Sequence, residues 1–425
     1  MATNQQRKRL KILFTEGSST SSREALYCLG PHHKIDIMDP SPFCQSRFSR
    51  FVRRWHRCPS YSREPLDYLR FLVRLLRSER YDVIFPTHEQ VYLLSRVKSE
   101  LQSLAGLTVP DFDSLEKIYD KASFSRLLNG LDLPQPETVI VRSRDELERS
   151  WDFPRYIKLA HGTAGQGVWF VENSQQLHEI LDQCEEAGLL DGKQEFLVQK
   201  PIAGTQRDVG GVFQNGRFVT GGSCEGLVVG VGGASMQRVG THRPEMLEHL
   251  RRVAAHLQWQ GPLSLAAMYD AKADRYNYLE AGPRIGETVP ALISGANVCQ
   301  LVVDMSGNEP VDCEWITKSG IRTHQTFLIL VSKALEGDGR RDILAELWRA
   351  CRGKGMYAMS EDELTRPRED WLSLVPATAV TLLLLAYPPA ARLLVRKTVE
   401  NYALPGDSAQ RIRQLSDAEL TSCFQ

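Results

Sequence analysis

The stretch Arg155-Tyr-Ile-Lys-Leu-Ala-His-Gly-Thr-Ala-Gly-Gln-Gly-Val-Trp-Phe-Val171 decides how the rest of this chain is read. Two β-type runs, RYIKLA and VWFV, flank a loop holding Gly162, Gly165 and Gly167, and Lys158 stands on the incoming strand. Glycines there let backbone N–H groups approach an anion closely and adopt positive φ. Lys158 would place a point charge against phosphate oxygens. The plain alternative is a hairpin with a glycine turn and an exposed lysine.

Two later stretches bear on the choice. In EFLVQKPI (residues 195–202) an apolar strand runs into a proline-stiffened segment that suits the edge of an adenine. In YLEAGPR (278–284) Glu280 and Arg284 straddle a Gly-Pro turn. Glu280 suits a Mg²⁺ that bridges phosphates, and Arg284 suits a bidentate clamp on a phosphoryl group or carboxylate. Taken alone, each stretch is also a strand end or a surface salt bridge.

Upstream, LKILFTEG (10–17), KIDIMD (34–39) and YDVIFPT (81–87) read as strands, with helical patterns at 22–29 and 66–78 between them. That alternation predicts a parallel sheet with crossover helices. The opening turn GSSTSS lacks G-x-G-x-x-G spacing, which argues against a dinucleotide. Further helices are predicted at 114–128, 174–187 and 244–257, strands at LSLAAMYD and RYNYLEAG, and a mainly helical final region. The glycine-rich GGSCEGLVVGVGG (221–233) carries Cys224, read as a packed small residue rather than a nucleophile.

Composition bounds the remaining possibilities. Lys plus Arg equals Asp plus Glu at 52 each, so no global field recruits nucleic acid or an anionic membrane. The arginines of residues 47–57 read as a solvated linker or helix face. Nine cysteines without metal-ligand spacing suit reduced thiols in the cytoplasm, and the polar first eleven residues show no cleavable signal. Residues 371–391 lack charge, but Pro376 and Pro388 interrupt them short of the roughly 20 residues a spanning helix needs. A buried helix is expected there, and no membrane span.

In this order and at these separations, the three stretches resemble the ATP-grasp superfamily, and within it the carboxylate–amine ligase group related to the carbamoyl-phosphate synthetase large subunit. The resemblance covers about residues 114–305. It implies an N-terminal Rossmann-like α/β domain (1–113), an ATP-grasp module (114–308) and a mainly helical C-terminal region (309–425). It implies ATP and Mg²⁺. Lys121, after Asp120, and Lys158 would meet phosphate. Gly162, Gly165 and Gly167 would form the lid; Gln199, Lys200 and Ile202 would bracket adenine. Asp208 would lie near ribose or substrate, Glu280 would hold metal, and Arg284 and Lys158 would serve the chemistry.

Two departures stand out: Gly282 replaces the family's asparagine ligand, and counting twelve back from Glu280 for the companion carboxylate reaches Met268. Asp270 or Glu287 would have to substitute. The implied reaction makes an acyl phosphate from a small-molecule carboxylate, then an amide with an amine. A weakened regulatory nucleotide binder and a kinase- or carboxylase-type reaction are the alternatives. Arg322 or His324 would cap the site from a C-terminal region without readable motifs, and a homodimer is the default assembly.

Overall fold

In a computed structural model of the chain, residues 8–162, 167–192, 194–230, 233, 235–286, 288–307, 310–311 and 314–425 are described. Strands β1 (Lys11–Phe14), β2 (Lys34–Asp39), β3 (Val52–Arg57), β4 (Val83–Phe85) and β5 (Gly106–Leu107) form one parallel sheet in the order β3-β2-β1-β4-β5. Its carboxyl ends are where α/β sheets present ligand sites. The helix Thr20–Leu29 begins at an N-cap in which Ser19 accepts from the Ser22 N–H.

The arginine-rich stretch corrects its sequence reading. Val52–Arg57 is the edge strand β3, not a solvated linker or helix face. Arg53 forks onto both oxygens of the buried Asp36, at 2.9 and 2.5 Å, and Arg54 reaches Glu79 at 2.9 Å. Although burial pushes the Asp36 carboxyl up, hydrogen bonds from Arg53, His56 and Tyr81 hold it well below the usual range. Charged side chains are how edge strands avoid pairing with other chains, so VRRWHR lacks the apolar alternation that signals a strand.

Strands β6 (Thr138–Val141), β7 (Arg155–Leu159), β8 (Val168–Val171) and β9 (Phe196–Gln199) build a four-stranded antiparallel sheet, β6-β9-β7-β8. The third and largest sheet contains β10 (Thr205–Gln214), β11 (Arg217–Val229), β12 (Ser235–Thr241), β13 (Gly261–Asp270) and β14 (Arg275–Gly282). Three short strands join it from further on: β15 (Trp315–Ile316), β16 (Arg322–His324) and β17 (Glu361–Asp362). The glycine-rich stretch is mostly β11. Glycine there permits close strand approach: a Cβ on Gly221 would fall 2.5 Å from the Gly210 carbonyl oxygen.

Two helical expectations change. The single helix expected at 114–128 is two, Phe112–Tyr119 and Lys121–Gly130, because Asp120 leaves helical conformation and caps the second, its Oδ1 accepting from the Ser123 N–H at 2.6 Å. The uncharged 371–391 stretch forms the helix Leu374–Ala386, and it is not buried. Leu384 alone on it is fully covered, packing with Leu330, Val331, Ile343 and Ala391, while Leu382 is 60% exposed. A helix apolar on all sides needs neighbours on all sides, and this one has them on only one. Among the described residues no helix is long and apolar enough to cross a membrane.

Candidate functional site

The four-stranded sheet, the largest sheet and the loops of the parallel sheet face a common cavity of about 1540 Å³, lined by Lys121, Lys158, Gly162, Asp208, Glu280 and Arg284 among others. Lys158 lies on β7, where its neighbours make it nearly inaccessible. Its Nζ donates to Gln199 Oε1 at 2.6 Å, and Gln199 Nε2 donates in turn to Thr138 Oγ1 at 3.0 Å. Burial drives the Lys158 amine down to about 8; Glu280 opposes the shift and Lys121 reinforces it. Lys121 owes its position to the break at Asp120. Its N–H donates to Ala160 O at 2.9 Å and its Nζ to Gly162 O at 2.6 Å, so it grips the base of the glycine loop. Burial lowers this amine too, against the pull of Glu280, Asp120 and Glu89.

Register places the acidic groups. Along β13, the buried Leu263, Leu265 and Ala267 alternate with the less covered Ser264, Ala266 and Met268, all three of which line the cavity. Opposite Glu280 stands Ala266, and on the other side of Ala266, on β10, stands Asp208. With strands about 4.8 Å apart, Asp208 and Glu280 lie roughly 10 Å apart at the backbone, across a residue with almost no side chain. Met268 pairs with Asn277, nearer the turn, and a bulge between Ala266 and Ala267 shifts the register by one so that Ala266 meets Glu280. Asp270 is no substitute: its Oδ1 accepts from the Lys272 and Ala273 N–H groups at 2.9 and 3.2 Å, capping the β13–β14 turn. Glu287 and Gly165 lie outside the described residues.

This donor set fits Mg²⁺. It is oxygen-only and two-sided, and Mg²⁺ commonly takes one or two carboxylates plus substrate phosphates. No cluster of three or more His, Cys, Asp or Glu capable of caging a metal occurs among the described residues. Gly282 sits against Ser264, whose Oγ would lie 2.6 Å from an added Cβ, so an asparagine there would displace Ser264.

Other expected residues are placed differently. Gln199 is buried behind Lys158, Lys200 is exposed with its N–H donating to Glu137 O at 2.9 Å, and Ile202 is half-buried. None of the three lines the main cavity, which takes up the chain again at Gly204. Gly167 has φ +72°, and its carbonyl accepts from the Leu159 N–H at 2.8 Å. His324 packs edge-on against Tyr357, and neither it nor Arg322 lines the cavity. Cys224 does line it, paired in register with Asp208.

Glu89 escaped sequence reading. It follows the loop after β4, is 1% exposed, and meets Arg284 Nη1 at 3.0 Å. Burial raises its carboxyl, opposed chiefly by Arg284. The signal available was its place just past the carboxyl end of a parallel strand.

No family model matches the chain. The Pyrococcus furiosus carbamoyl phosphate synthase large chain is 25% identical over 201 residues, which is 44% of this chain and 18% of that protein. The chain thus spans well under half the length of the curated relatives it matches. Among solved structures, the biotin carboxylase domain of Hydrogenobacter thermophilus 2-oxoglutarate carboxylase superposes with TM-score 0.59 at 14% identity, covering 73% of this chain and 72% of that one. The L-amino acid ligase of Bacillus licheniformis gives 0.54 at 18% identity, covering 71% and 76%. The chain is related to the ATP-grasp carboxylate–amine ligases.

In this chain the C-terminal segment closes over the cavity. Lys397, Thr398, Asn401 and Tyr402, from the helix Ala390–Tyr402, all line it. The Tyr402 ring lies 4.4 Å from that of the buried His88, and Tyr61 OH donates to the Tyr402 carbonyl at 2.7 Å. Further on, Arg413 binds Glu116 at 2.5 Å and donates to His161 Nε2 at 3.0 Å. Burial pushes His161 down to about 4, so the neutral ring accepts from Arg413 beside Asp120.

Proposed function

We propose that this protein uses ATP to activate a carboxylate as an acyl phosphate and then joins it to an amine. The observation that carries the reading is the convergence of Lys121, Lys158 and Arg284 on one cavity opposite Glu280 and Asp208. Three cations suit a triphosphate and the charge that spreads over a transferred phosphoryl group.

In this reading the carboxylate oxygen attacks the γ-phosphorus, the bond to the β-phosphate oxygen breaks, and ADP leaves. The amine nitrogen then attacks the acyl carbon, loses a proton, and expels phosphate as the amide forms. Lys158, held by Gln199, meets the phosphates from β7. Lys121 ties the loop base to the same point, so that loop closure excludes water from the acyl phosphate. Arg284, anchored by Glu89, orients the carboxylate. Glu280 and Asp208 would hold Mg²⁺, which when bound supplies charge neutralisation on the phosphate oxygens.

A cytoplasmic setting is part of the proposal, in keeping with nine cysteines lacking any pairing pattern. A second reading, nucleotide binding without turnover, is favoured by Ala266 and Gly282 at positions that supply no ligand. ADP release measured against a panel of carboxylates and amines separates the two. Carboxylate- and amine-dependent release, lost in Lys158→Ala, is the expected result. Tight ATP binding with no release under any pair would favour the second reading.

A further inference from the structure

The cavity is larger than one nucleotide-sized ligand requires: about 1540 Å³, against roughly 300–1,000 Å³ for common small-molecule pockets. Its two ends differ in chemistry. The inner end carries Lys121, Lys158 and Arg284, whereas the outer wall is built by three C-terminal helices. From the helix Thr326–Glu336 come Leu328, Val331 and Leu335, spaced along one face; Leu374–Ala386 contributes Pro376 and Val380, one turn apart; Ala390–Tyr402 contributes Leu394. The nearby polar groups are already engaged within the protein. Ser332 Oγ donates to Glu336 at 3.0 Å, Gln325 Nε2 donates to Glu363 at 2.5 Å, and Arg238 pairs with the same Glu363 at 3.6 Å. The polar lining residues Lys397, Thr398 and Asn401 follow Leu394 on the same helix, toward the end at which Tyr402 meets His88.

The wall also does not end inside the protein. Leu393, itself a lining residue, is 49% exposed, and the uncovered apolar side of 374–386 continues the surface outward. Such a passage, charged within and apolar toward the rim, matches a molecule with an anionic head and a long apolar tail.

We infer that the carboxylate substrate is an amphiphile, with its head at Arg284 and its aliphatic tail along the 326–336, 374–386 and 390–402 helices. The inference rests on the ligase reading for the role of that carboxylate, but the tail site can be tested without turnover. Straight-chain carboxylates from hexanoate to dodecanoate, kept below their micellar concentrations, are titrated calorimetrically into the full chain, and ATP with Mg²⁺ is titrated separately. Each buried methylene strengthens binding about fourfold, so dodecanoate, with all six added methylenes buried, is expected to bind on the order of several thousandfold tighter than hexanoate.

Val380→Asp, on the wall, abolishes that gain and leaves ATP affinity unchanged; Leu382→Asp, on the outer face of the same helix, keeps it. Should Val380→Asp fail to fold, Val380→Trp fills the space and shortens the longest chain that still gains affinity. Binding that ignores chain length, or that falls as much in Leu382→Asp as in Val380→Asp, overturns the tail site. Alkylamines that bind as tightly as carboxylates of equal length overturn the placement of the head. Absence of ATP binding alongside chain-length-dependent carboxylate binding would sink the ligase reading and leave the tail site standing.

Discussion

The inner and outer ends of the cavity are held by opposite means. At the inner end the three cations are each held by a partner: Lys158 on Gln199, Lys121 on Gly162, Arg284 on Glu89. At the outer end the wall is aliphatic, and the 374–386 helix is covered on one side only. Electrostatic groups in a low-dielectric site need rigid placement, because misplaced charge is costly. An apolar wall tolerates variation in what lies against it. The difference suits a protein that handles one invariant co-substrate and one variable one.

The sharpest way to break this comparison is to strip a partner from the inner end. Arg284→Ala leaves Glu89 buried without its counter-charge and should cost about 3 kcal/mol of stability, the low end for a broken buried pair because Arg284 is one-third exposed. Denaturant melts measure it, and adding Glu89→Gln should recover most of the loss. Leu382→Ser at the outer end should stay within about 0.5 kcal/mol of wild type. Equal losses would erase the contrast.

Next in size, Glu280→Gln should lower kcat about a hundredfold and raise the Mg²⁺ needed for half-maximal rate. Asp208→Asn should act in the same direction by about tenfold, less because it contributes from across Ala266. An unchanged Mg²⁺ dependence in Asp208→Asn would remove that residue from the donor set.

The pH dependence is smaller and has two signs. Lys158 titrates near 8 in the fold against 10.5 when unfolded, so between those values the unfolded chain binds the extra proton. Its contribution to stability therefore rises with pH across that window. ATP affinity should move the other way, weakening by up to about tenfold per pH unit above 8 as the amine loses its charge. Calorimetric Kd values at pH 7, 8 and 9 show whether it does. Smallest of all, Arg413→Ala should cost under about 1 kcal/mol in melts, since its ion pair with Glu116 is partly exposed.

Much of the fold was legible wherever a local pattern suffices. KIDIMD alternates and is β2 over Lys34–Asp39; the apolar spacing of 174–187 is the helix Ser174–Glu186. Three features were not, for separate reasons. VRRWHR hid a strand because its charges serve an edge. The helical periodicity of 112–130 continues straight across Asp120, where only the cap reveals the break. The acidic row Asp208–Ala266–Glu280 joins residues 72 positions apart through two strand registers and a bulge. Counting along one strand cannot find it. The apolar wall is harder still, since three separate helices make it and only packing shows which face of each turns inward.

Tyr402 carries a last implication. Its ring packs at a tilt against His88 and its carbonyl accepts from Tyr61, so the cavity's cover and its floor come from segments more than 300 residues apart. During translation the parallel sheet, the four-stranded sheet and the strands of the largest sheet emerge before this tyrosine does. The pocket therefore stays roofless until the segment around residue 402 clears the ribosome. A product cut off before that point would keep its cation-lined cleft without its cover.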